Sequence, residues 1–148
     1  MLKETLIEIF ERDLQKLATE INLYKDEDKL WQVKTGISNS AGNLCLHLLG
    51  NLNHFIGATL GHTGYVRYRE DEFSLKNIPR QDIITNIENC KLVVKGSLTN
   101  LPEVEMQKDF PLNVFGKITS TEFMLVHLAA HLSYHLGQIN YHRRLLDQ

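Results

Sequence analysis

The chain has 148 residues, 43% hydrophobic and 23% charged, an ordinary globular balance that excludes bulk disorder. Its net charge of −2 gives no pull toward nucleic acid or an anionic membrane surface. No apolar run reaches the roughly 18 residues a membrane-spanning helix needs, and two cysteines, Cys45 and Cys90, are too few for a disulfide framework.

The length suits one domain over residues 1–148, with no Gly/Ser-rich linker inside it. The opening stretch MLKETLIEIFERDL mixes acids into its apolar residues, unlike a signal peptide, and with the unpaired cysteines it suggests a cytoplasmic protein. In chain order, Leu2, Leu6, Ile9, Phe10, Leu14, Leu17 and Ile21 recur at three- and four-residue steps, the stripe of an amphipathic helix ending near Tyr24. A charged cluster and a loop with Trp31 and Gly36 follow. A second helix is expected from Ser38–Ser40 to about Leu60. Gly42, Gly50 and Gly57 each cost about 1 kcal/mol inside it relative to alanine, which points to close approach of neighbouring helices.

Residues 61–78 read as a long connection whose charged and aromatic run from Tyr65 to Phe73 suits a solvated loop. Pro79 then opens a third helix reaching about Asn100. A second irregular stretch leads to Thr119, which with Glu122 fits a capping box for a last helix from about Ser120 to Leu146. Four long helices predict an all-α four-helix bundle, with connections long enough to cross it.

Histidine is the unusual residue: of seven, four (His127, His131, His135 and His142) fall in the last 22 residues. At about 100° per residue, His131 and His135 lean toward the buried stripe of the last helix while His127 sits at its edge. Imidazoles four residues apart can converge on one ion, whereas the outer members of the 127–131–135 triplet are about 12 Å apart along the axis. The pair His131/His135 is therefore the better chelate, and His142 serves another layer. A third ligand must come from the polar stripe of helix two (Ser40, Asn43, His47, Asn51, His54), where angle alone does not separate His47 from His54.

At NLCLHLLGNL and HLAAHLSYHLGQ the sequence resembles the DinB/YfiT-like superfamily of metal-binding bundles, whose HxxxHxGQ signature matches His131, His135, Gly137 and Gln138. The resemblance implies an up-down-down-up bundle and a homodimer. It also implies one divalent metal held by His47, His131 and His135, and so selects His47 over His54. Leu136 stands where relatives often carry arginine. Zinc, nickel, iron or manganese would suit three imidazoles, with Gln138 and Asn51 orienting the site's ligands from one turn away.

Three chemistries remain open. An open metal lowers the pKa of a bound thiol or water. A low-molecular-weight thiol could attack an electrophilic small-molecule substrate, as in S-transferases of the superfamily. A metal-dependent hydrolase would want a carboxylate base, which neither histidine-bearing helix offers. A non-enzymatic metal-binding or stress-response role is the third reading. No nucleic-acid or membrane partner is expected.

Overall fold

The computed structural model describes residues 1–148 and is entirely helical. Helix α1 is Leu2–Leu23, α2 Ala41–Leu52, α3 Arg69–Ser74, α4 Arg80–Asn100 and α5 Thr121–Leu146. Short 3-10 helices occupy Glu27–Trp31 and Glu103–Gln107. The four long helices match the four expected; α3 is an addition inside the 61–78 connection. No helix is long and apolar enough to cross a membrane.

The stripe on α1 buries Leu6, Phe10, Leu14, Leu17 and Ile21, and Tyr24 ends the helix in an extended conformation. Helix α1 packs on α4 and α5, and α2 packs on the same two, so α1 and α2 stand across the core from one another. One cluster of 29 buried apolar residues joins all four. The connection from α1 to α2 must therefore cross the bundle as well.

Helix α2 starts where expected, with Ser40 Oγ accepting from Asn43 N. Its regular hydrogen bonding stops at Leu52. A π-helical turn over Asn53–Ala58 follows and is marked by Thr59 N bonding back to His54 O. The glycines of α2 and of the π-helical turn do answer to close approach, but of side chains. A Cβ on Gly42 would lie 2.6 Å from the Trp31 ring, and one on Gly57 would lie 2.9 Å from Val93 of α4.

The N-terminal cap of α5 is Ser120, not Thr119: Ser120 Oγ accepts from Phe123 N at 3.0 Å. Thr119 is held instead by a backbone bridge, its carbonyl accepting from Phe110 N. Glu122 does not return to the cap; its carboxylate accepts from Gln107 Nε2. His142 occupies a separate layer near the end of α5, where Tyr24 Oη lies 2.6 Å from its Nδ1 and the Gln32 carbonyl 2.8 Å from its Nε2.

Candidate metal centre

Helices α2 and α5 pack side by side, and each turns histidine inward at the seam. His47 comes from α2; His131 and His135, one turn apart, come from α5. One ring nitrogen from each lies within 4.8 Å of the other two. His47 Nε2 is 3.2 Å from His131 Nε2. The ring centroids of His47 lie 5.0 Å from His131 and 5.3 Å from His135.

The other expected residues fall as follows. His127 stacks on His131 with centroids 6.2 Å apart and meets Phe115 edge-on, outside the group of three. His54 packs on Phe55 in the π-helical turn and takes no part. Gln138 Oε1 lies 2.7 Å from His135 Nδ1. Asn51 is buried one turn beyond His47 but bonds to no histidine, and its Oδ1 has no partner.

Burial, then the neighbouring imidazoles, pushes His131 down to about 4, and burial also lowers His135. Both are therefore neutral near pH 7, the protonation state in which imidazole ligates a cation. His131 Nδ1 is buried without a partner, so this ring gains nothing from the protein on its far side. Three imidazoles converging from two helices, with Phe73 against His47 and Tyr134 against His135, suit a divalent transition metal.

A carboxylate stands behind His47 that the sequence reading assigned to solvent. Glu72, on α3, places Oε1 3.1 Å from His47 Nδ1. Arg67 donates to the same carboxylate from Nε at 2.8 Å and from Nη2 at 2.9 Å. The 65–73 run is thus not simply a solvated loop: Glu72 is buried, while Tyr68, Arg69, Glu70 and Asp71 around it are exposed. Burial alone would raise the Glu72 carboxyl, but its bonds to His47 and Arg67 outweigh this and hold it below the usual range. Gly50, expected to mark the close approach of another helix, was the available signal, because a Cβ there would fall on the Glu72 carboxylate.

Beside His135 and Gln138 a cavity of about 360 Å³ opens between the 36–39 loop and the end of α5. Its walls include Ser38, Asn39, Leu44, Tyr134, Tyr141 and Leu145, and no charged side chain. Neither cysteine reaches the centre. Both are buried and unpaired, and burial pushes the Cys90 thiol up to about 12 and that of Cys45 further.

A family described as a protein of unknown function, DUF1572, has a sequence model that matches residues 3–148. No curated protein matches the chain.

Proposed function

The chain belongs to the DUF1572 family, and we propose that it is a DinB-like, up-down-down-up bundle in which His47, His131 and His135 hold one divalent metal. The observation that carries this reading is the convergence of three imidazole nitrogens within 4.8 Å. Zinc, nickel, iron and manganese all accept such a donor set. When bound, the cation would acidify a small ligand such as a thiol.

We further propose that the activity is of the thiol S-transferase type. Two features of the chain support it. Its own thiols are buried and pushed up, so any sulfur nucleophile must come from outside. Its one carboxylate at the centre, Glu72, is engaged by His47 and Arg67 and is not free to activate water. The expectation that neither histidine-bearing helix offers a carboxylate base concerned α2 and α5; Glu72 comes from α3, and its engagement leaves the preference for thiol transfer over hydrolysis in place. The uncharged cavity beside His135 offers room for the electrophile.

The test is a panel of cysteine, glutathione, bacillithiol and mycothiol with 1-chloro-2,4-dinitrobenzene, using protein loaded with zinc, nickel or manganese. Thiol conjugation that needs metal and disappears in His131→Ala is the expected result. Ester turnover without any thiol would assign hydrolysis instead. Strong stabilisation by metal with no turnover of either kind would make the protein a non-enzymatic metal binder.

A further inference from the structure

A neutral imidazole can carry its proton on either nitrogen, and only the bare one can ligate. What sets that choice at His47 is visible in the structure. The carboxylate of Glu72 is the nearest partner of Nδ1, at 3.1 Å, and Arg67 Nη2 stands further from that nitrogen at 3.5 Å. A carboxylate accepts and does not donate, so Nδ1 is the nitrogen that must carry a proton, and Nε2, 3.2 Å from His131 Nε2, is the one that can face a cation.

We propose that Glu72 is the positioning residue of the metal centre: it fixes the tautomer and ring orientation of His47, through a slot left in α2 by Gly50. The proposal rests on reading the three histidines as a metal site. Groups hydrogen-bonded to the far nitrogen of a histidine ligand orient the ring and raise its basicity.

The alternative is a plain ion pair with Arg67 that pins the loop. Two observations go beyond it. First, an ion pair needs no glycine on α2, yet a Cβ at Gly50 would lie 1.8 Å from Glu72 Oε2 and 2.6 Å from its Cδ. Glycine in a helix interior costs about 1 kcal/mol relative to alanine, and here that cost admits the carboxylate to His47. Secondly, the same face of α2 anchors the segment that delivers Glu72. Asn43 Nδ2 donates to the carbonyls of Glu72 and Leu75, both at 2.9 Å. Asn43, His47 and Gly50 are spaced four and three residues apart, one line along the helix. Asn43 holds the backbone of α3, His47 receives its carboxylate, and Gly50 clears the path. Arg67 supplies the opposing charge, and its guanidinium lies 5.7 Å from the Phe55 ring centroid.

The test compares wild type with Glu72→Gln, Glu72→Ala and Gly50→Ala. Gly50→Ala displaces the carboxylate while leaving both Glu72 and His47 in the sequence. Zinc affinity is read by competition with a chromophoric chelator. The His47 tautomer is read by long-range ¹H–¹⁵N NMR on metal-free protein at pH 7.5, and folding by thermal unfolding without metal. Wild type should show Nδ1–H. Glu72→Ala and Gly50→Ala should bind zinc about 10- to 100-fold more weakly, with the tautomer shifted toward Nε2–H. Glu72→Gln, which keeps an acceptor oxygen in the same shape, should recover most of the Nδ1–H population and part of the affinity. It also carries the test if Gly50→Ala does not fold. Nε2–H in the wild type, or Glu72→Ala zinc affinity within threefold of the wild type, would overturn the proposal. If the wild type takes up no zinc, the metal reading falls, and the tautomer measured without metal still decides whether Glu72 positions His47.

Discussion

His47 Nε2 and His131 Nε2 face each other at 3.2 Å across the seam between α2 and α5. Two imidazole nitrogens that close share either a proton or a cation. Ligand nitrogens at about 2.0–2.1 Å from a tetrahedral zinc stand about 3.3 Å from one another. The pair is therefore already spaced as ligands would be. The third nitrogen, on His135, completes a triangle no wider than 4.8 Å.

Alanine at His47, His131 or His135 is accordingly expected to abolish tight zinc binding. His127→Ala should leave it within a few-fold of wild type, because His127 only stacks on His131. Isothermal titration of the four variants checks this. Equal loss in all four would mean that the chelate runs further up α5.

The metal-free protein should lose stability as pH falls from about 6.5 toward 4. In the unfolded chain these imidazoles protonate near 6.5. In the fold, burial lowers His131 to about 4 and also lowers His135 and His142. Between those values the unfolded state binds protons that the folded state does not, so stability is full above the window and drains through it. Below about 4.5, Glu72 adds a loss of the same sign, since its carboxyl is held down in the fold. Melting temperatures in EDTA across pH 7.5 to 4.5 give the reading, and a flat profile would contradict it.

Tyr24→Phe should destabilise the fold by about 1–3 kcal/mol, the cost of leaving a buried partner unsatisfied at His142 Nδ1. Zinc affinity should not change, because His142 belongs to another layer. Urea unfolding together with a zinc titration on the same variant separates the two effects.

Gly42→Ala should cost about 1–3 kcal/mol through overpacking. The new methyl would meet the Trp31 ring at 2.6 Å, and that half-buried ring packs against the core. Trp31 is the only tryptophan, so its fluorescence reports the displacement directly.

Much of this was legible in the sequence. The α1 stripe, the Ser40 start of α2 and the inward lean of His131 and His135 follow from helical periodicity, which is local and strong. The cap of α5 was misplaced by one residue because the run from Thr119 to Thr121 offers three side chains able to cap. Glu72 and Arg67 were missed for a deeper reason. A charged run reads as solvated unless its partners are known, and the partner here, His47, lies 25 residues away from Glu72. Gly50 held the clue, but close approach to a helix was read as another helix when it was a single carboxylate. The π-helical turn after Leu52 has no sequence signature that periodicity detects.

The most direct test of the central claim is an anomalous difference map from crystals grown with zinc, recorded on both sides of the zinc absorption edge. The account predicts a single strong peak bonded to one nitrogen each of His47, His131 and His135, with His127 and His142 unengaged. No peak among those three rings, or a peak that draws on His127 instead of His47, would contradict it.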